Sequence, residues 1–338
     1  MPDKMHQWLQ DFPQFFYHAV QLGNEFAAKI RDVKEIRSIC FLGIGGSAIG
    51  AEIVCNLFHS AFHYPVVVSR GSAPPGWVKE GVVAVAVSYS GETKETIAAF
   101  QKSRDSGAIV ISISSGGKLA QLNENRHLLI PTDIAPRAAL CYTCVPLVFI
   151  LRQAGAILET EIDVARIVKT LENIRRHWGG AQGKGSEAAK QIQDSLAIIA
   201  SGGCNAAAGR RAQAQFAENA KTPAIWFDIP ESLHNLLETL NSAQLRAAKP
   251  YGLMLLDPKD TEICTLTKIT EEIFREAGIP LMEIEAQGES SLERTFSLIY
   301  QMDWLSYHLA NLRGIDPVEI PLIKSVKKKQ EERTANPR

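Results

Sequence analysis

Val85-Ala86-Val87-Ser88-Tyr89-Ser90-Gly91-Glu92-Thr93 runs from an apolar, β-branched stretch straight into hydroxyls and a glycine. The apolar part reaches back to Val82, so Val82–Val87 reads as a strand buried on both faces. Helical periodicity follows Thr93. A buried strand, a tight polar turn and a helix together form the repeating unit of a parallel sheet.

The same alternation extends in both directions. Ser38–Leu42, Pro65–Ser69, Ala108–Ile113 and Leu128–Ile130 are further short apolar runs, each followed by a helical stretch. Beyond a charged, helical region they resume as Leu196–Ala200, Ala224–Phe227, Gly252–Leu256 and Pro280–Ile284. The expected fold is α/β, with two domains that each carry a doubly wound, mostly parallel sheet flanked by helices. The expected division is 1–155, a helical connection over 156–190 broken by Gly179, Gly180, Gly183 and Gly185, and 191–338. Cys40-Phe-Leu-Gly-Ile-Gly-Gly-Ser-Ala in the first half answers to Ile199-Ala-Ser-Gly-Gly-Cys-Asn-Ala in the second, which suggests diverged copies of one unit. Residues 4–30 read as a helix pair around Pro13, Ser291–Gly314 as a long closing helix, and Ile323–Arg333 as a basic helical tail.

Composition narrows the functional classes. A length of 338 residues suits two domains, and 36 basic against 37 acidic residues leave a net charge of -1. That balance gives no electrostatic reason to expect nucleic acid or an anionic membrane as partner. The longest apolar run, Ala138–Leu151, is interrupted by Pro146 and reads as a buried helix, so no membrane span is expected. The polar start Met1-Pro2-Asp3-Lys4 lacks a signal-peptide layout, and six scattered cysteines read as reduced thiols. A cytoplasmic protein is therefore expected. Cys141-Tyr-Thr-Cys144 has redox spacing but lies in an apolar helical stretch, where core packing is the simpler reading. No histidine or cysteine pair completes a metal site, and no cofactor is expected.

Two glycine-bearing turns carry the chemistry. Gly43-Ile44-Gly45-Gly46-Ser47-Ala48 fits the dinucleotide pattern G-x-G-x-x-A after a strand. Its second strand ends Val68-Ser69-Arg70-Gly71, without the carboxylate that would hold a ribose hydroxyl. NAD is thereby demoted, and NADP survives only through Arg70. In the second turn Ser88, Ser90 and Thr93 place three hydroxyls where a helix begins. N-capping needs only one hydroxyl. Several hydroxyls with free helix amides match the acceptor oxygens of a phosphate.

Gly-Gly-Ser followed by Ser-Tyr-Ser-Gly-x-Thr resembles a sugar isomerase (SIS) domain. The whole chain resembles the bifunctional phosphoglucose/phosphomannose isomerase family, which carries two such domains. The matching stretches are Gly43 to Gly50, Pro136-Arg137-Ala138-Ala139, Glu218-Asn219-Ala220-Lys221, His234-Asn235, Asp303-Trp-x-Ser306 and Asp316-Pro317. The resemblance implies that Gly46, Ser47, Ser88, Ser90 and Thr93 hold a substrate phosphate. It implies Glu218 as catalytic base and Arg137 as the cation that steadies developing negative charge. It implies His234 and a C-terminal lysine, Lys327 with Lys324 as the alternative, as the pair that opens the sugar ring. The substrate implied is a phosphorylated hexose, the reaction an aldose–ketose isomerisation, and the assembly a homodimer that shares its active site. The chemistry asks for the same residue types, since one positioned carboxylate can move a proton between neighbouring carbons. The rival reading is an inactive SIS-type phosphosugar-binding or sensing protein, which needs only the hydroxyl turns. An amidotransferase half would need a glutaminase domain, for which the first 36 residues are too few. Glu92 stands where the SIS turn commonly has asparagine and brings a carboxylate near the expected phosphate.

Overall fold

The computed structural model of the chain describes residues 3–33, 35–158 and 161–335. Met1 and Pro2 of the polar start, and Glu159 and Thr160 of the expected connection, lie outside the described residues. The first half contains α1 (Lys4–Lys29), β1 (Ser38–Leu42), α2 (Gly46–Leu57), β2 (Val66–Ser69), β3 (Val82–Val87), α3 (Lys94–Asp105), β4 (Ile109–Ser114), α4 (Gly117–Leu122), β5 (His127–Leu129) and α5 (Leu140–Gln153). α6 (Val164–Trp178) and α7 (Lys184–Ile192) lead into the second half. That half contains β6 (Leu196–Gly202), α8 (Ala206–Asn219), β7 (Ala224–Ile229), α9 (Ala243–Ala247), β8 (Pro250–Leu256), α10 (Thr261–Glu276), β9 (Leu281–Glu285), α11 (Ser291–Leu312) and α12 (Pro321–Ala335).

All paired strands run parallel, in the orders β2-β1-β3-β4-β5 and β7-β6-β8-β9. The two sheets share one strand order apart from the extra β5, as diverged copies would. The inner strands β1, β3, β4, β6 and β8 are buried on both faces and are visible in the sequence as mostly apolar runs, whereas the edge strands β2, β5, β7 and β9 are partly exposed.

Period-2 alternation sorts each strand between two layers. Ile39, Phe41, Val83, Val85 and Val87 face inward with residues of α1, α2 and α5. Cys40, Leu42, Ala84 and Ala86 face outward with Phe100 of α3 and Leu119 of α4. In the second sheet Ala197, Ile199, Leu253 and Leu255 face inward, while Ile198, Ala200, Phe227 and Met254 meet Phe274 of α10. The inward faces, α1, α5, α6, α7, α8 and α11 form one continuous core between the sheets.

α1 is a single helix that runs through Pro13, not a pair of helices. Proline removes the N–H that would bond the carbonyl four residues earlier, Leu9. The hydroxyl of Tyr300 on α11 donates to that carbonyl instead. α5 likewise continues through Pro146, with Leu140–Leu151 entirely buried. Burial pushes the Cys141 and Cys144 thiols well above their usual range, so neither is poised as a thiolate. No helix among the described residues is long and apolar enough to cross a membrane.

Candidate active site

β1 and β3 lie side by side, so the turns that follow them meet at one edge of the first sheet. Ser47 sits in the first turn of α2, and its Oγ accepts the Tyr89 N–H at 3.2 Å. Ser88 is buried, and its Oγ lies 2.9 Å from Thr93 Oγ1. Ser90 is exposed and accepts the Glu92 N–H at 3.2 Å. Gly91 has φ +68°, and a Cβ there would fall 1.9 Å from the Gly116 carbonyl oxygen, so only glycine fits. The N-termini of α2 and α3 converge on these hydroxyls, each with a positive dipole end and amides that lack intrahelical partners. Ser47, Ser88, Ser90 and Thr93 are thus gathered in one place, with Gly46 beside them.

A cavity of about 530 Å³ opens beside the Gly45–Gly46 turn, between α2 and α8, with Gly45, Gly46, Arg137 and Glu218 in its lining; Ser47, Ser88, Ser90 and Thr93 are not part of that lining. Arg137 sits in the turn before α5 and is 6% exposed. Its Nη1 lies 3.6 Å from Glu218 Oε2. Nε donates to Asn219 Oδ1 at 2.7 Å, while Nη2 donates to the carbonyls of Pro317 and Val318. Burial pulls the guanidinium below its ordinary range against the opposing pull of Glu218 and Asp316; arginine nonetheless stays cationic. Glu218 occupies the last turn of α8, where the helix dipole disfavours a negative charge. Arg137 compensates for that placement.

His234 and Lys327 are not brought to this cavity within one chain. His234 is exposed at the end of a 3₁₀ segment, Glu231–His234, that follows β7. Lys327 and Lys324 lie on exposed α12, with Lys324 paired to Glu319 at 2.7 Å. Arg70, the residue through which NADP survives in the sequence, pairs with Glu52 at 2.5 Å, and Arg210 from the second half holds the other Glu52 oxygen at 2.6 Å. That arginine is therefore already engaged by a carboxylate.

Several residues around Arg137 lie in or near the sequence motifs but are given no individual role there. Asn219 and Lys221 adjoin Glu218 in a stretch that carries the family resemblance. Lys221 Nζ donates to the carbonyls of Glu218 at 2.7 Å and Asp316 at 2.9 Å, tying the end of α8 to the turn that carries Pro317. In the second half the position after β8, equivalent to Ser88 after β3, is Asp257. Its buried carboxylate accepts from Arg294 Nε at 2.8 Å, Asn205 Nδ2 at 3.0 Å and Lys259 N at 3.0 Å. A protein carboxylate thus fills the cradle that the first half leaves lined with hydroxyls.

Residues 32–156 match the SIS domain family, and residues 181–329 match the family described as bacterial phospho-glucose isomerase C-terminal SIS domain. The chain is 28% identical to a bifunctional phosphoglucose/phosphomannose isomerase from Caldicellulosiruptor bescii, over 96% of this chain and 98% of that protein. It is 30% identical to a D-glucosamine-6-phosphate 4-epimerase from Sulfolobus acidocaldarius, over 64% of this chain and 68% of that protein. Among solved structures, a hypothetical protein from Thermus thermophilus superposes with a TM-score of 0.75 at 15% identity, covering 98% of this chain and 91% of that one, a likeness of fold alone.

Proposed function

This chain belongs to the bifunctional phosphoglucose/phosphomannose isomerase family, and on that premise we propose that it interconverts glucose 6-phosphate or mannose 6-phosphate with fructose 6-phosphate, with Glu218 as its base. The observation that carries this reading is the meeting of Arg137 from the first half and Glu218 from the second, 3.6 Å apart, in a cavity that the Gly45–Gly46 turn also lines. A base alone would not select this reaction; a base facing a fixed cation, next to a phosphate cradle, does.

The phosphate rests on Ser47, Ser88, Ser90, Thr93 and the Gly46 amide, which fixes the far end of the sugar. Glu218 takes the C2 proton of the open-chain aldose, giving an enediolate, and returns it to C1 as the O2 proton passes to O1, so that C1 becomes the alcohol and C2 the ketone. Arg137 holds the negative oxygen between the two steps, a stabilisation that is strongest where water is excluded. Glucose and mannose differ only at C2, which is planar in the enediolate, so one site serves both epimers. Ring opening falls to His234 and Lys327. Because neither lines the cavity of its own chain, the reading is completed by a homodimer in which a second copy donates His234.

The decisive experiment is a coupled assay with glucose 6-phosphate, mannose 6-phosphate and fructose 6-phosphate, with glucosamine 6-phosphate as an added arm. Glu218→Gln is expected to lose roughly 10²–10⁴-fold in kcat, the usual worth of a positioned base, with hexose-phosphate affinity changed only a few-fold. A Glu218→Gln variant that kept ordinary turnover would overturn the assignment. Tight binding by the wild type with no isomerisation of any hexose phosphate would instead support the sensing reading.

A further inference from the structure

Arg137 is gripped from two sides by one helix that never reaches the cavity. Asp303 and Ser306 lie one turn apart on α11, 2% and 0% exposed. From Asp303 the first arm runs through its side chain. Its Oδ1 accepts from Arg211 Nη1 and from Gln215 Nε2 at 2.9 Å, and Arg211 Nη2 then donates to the Arg137 carbonyl at 2.9 Å. The second arm starts from the Asp303 carbonyl, to which the Ser306 hydroxyl donates at 2.9 Å. Ser306 Oγ in turn accepts from Asn219 Nδ2 at 2.9 Å, and Asn219 Oδ1 accepts from Arg137 Nε at 2.7 Å.

The polarity of the second arm has only one solution. The proton of Ser306 is committed to the Asp303 carbonyl, so its oxygen can only accept. The Asn219 amide must then turn its NH₂ toward Ser306 and its oxygen toward Nε, which is a donor in every state of arginine. A flipped amide would set donor against donor in a fully buried place, at the cost of an unpaired polar group. The polarity at Nε is therefore set from α11, 166 positions from Arg137 by residue number (303 against 137), while the Pro317 and Val318 carbonyls hold Nη2.

We propose that Asp303 and Ser306 of α11 are positioning residues for Arg137, bracing its carbonyl through Arg211 and its guanidinium through Asn219. The inference rests on the reading of Arg137 as the cation that holds the enediolate. Misplacing such a group by about 1 Å can cost on the order of 10²-fold in rate without loss of ground-state binding. The brace accordingly acts on kcat.

Ser306→Ala cuts the second arm and leaves the first. The expected result is a fall in kcat of roughly 10-fold or more with KM within a few-fold of wild type, and recovery of most of it in Ser306→Thr, which keeps the hydroxyl. The separating readout is the same change made on an Arg137→Lys background, which has no Nε–H to orient. There Ser306→Ala should add less than roughly twofold, as coupled residues do. An equal fold-loss on both backgrounds, or an unchanged kcat in Ser306→Ala, overturns the proposal. Asp303→Asn tests the first arm but leaves buried Arg211 short of a charge partner, so Ser306 carries the test. Arg137 Nε–H exchange, followed by NMR on the uninhibited wild-type and Ser306→Ala proteins, decides the brace independently of turnover. Faster exchange in the variant supports it, and identical exchange overturns it. A wild type that isomerised no hexose phosphate would sink the proposed reaction while this measurement still decided the brace.

Discussion

Glu92 sits in the middle of the turn proposed to hold the phosphate, yet its carboxylate serves another element. Its Oε1 accepts the Lys118 N–H at 2.7 Å, at the first turn of α4. An acceptor at that place satisfies an amide that the helix leaves unpaired. The residue that looks out of place beside a phosphate is thus turned away from it. Glu92→Gln keeps an acceptor oxygen and is expected to change inorganic phosphate affinity by less than roughly twofold, whereas Glu92→Ala should cost about 1 kcal/mol in urea unfolding. A marked tightening of phosphate binding in Glu92→Gln would show that the carboxylate does face the anion. The hydroxyls around it are legible from the sequence, since Ser88, Ser90 and Thr93, the proposed ligands, fall within six residues (88 to 93). The roles of Arg137 and Glu218 are not legible from local pattern. Their pairing joins residues 81 positions apart (137 to 218), and the family resemblance implies a role for each but not their contact.

α1 shows the same limit for an element. A proline nine residues into a helical pattern normally breaks it, and the sequence alone accordingly reads as two helices. What lets α1 continue is a donor 291 positions away, Tyr300, which bonds the carbonyl that Pro13 orphans. No local signal encodes that. The inner strands β1, β3, β4, β6 and β8 are readable for the opposite reason, because burial on both faces is a property of each strand's own residues. Tyr300→Phe should destabilise the protein by about 1–3 kcal/mol, the cost of an unsatisfied buried carbonyl. In a Pro13→Ala background the restored N–H takes over that carbonyl, so the same change should cost clearly less. Urea unfolding of the four proteins in this cycle measures the difference, and equal costs on both backgrounds would exclude the compensating role of Tyr300.

Two copies of one topology face each other across a shared layer of helices, but the turn after β3 carries hydroxyls where the turn after β8 carries a carboxylate. In the second copy Asp257 occupies the equivalent position with Arg294, Asn205 and the Lys259 amide, so a second phosphate would meet a buried negative charge. The chain is therefore expected to bind one hexose phosphate, at the first sheet. Because the inward faces of both sheets belong to one core, that single site should stabilise the whole molecule. A ligand that binds only the folded state adds about 2.7 kcal/mol at one hundred times its Kd. Differential scanning calorimetry with increasing fructose 6-phosphate should show one transition moving upward as a unit, and titration calorimetry should give one site per chain. Two transitions, of which the ligand moves only one, would mean that the halves unfold separately despite their common core. Two equivalent sites would mean that Asp257 yields to phosphate, and the asymmetry between the copies would then lie elsewhere than in their charge.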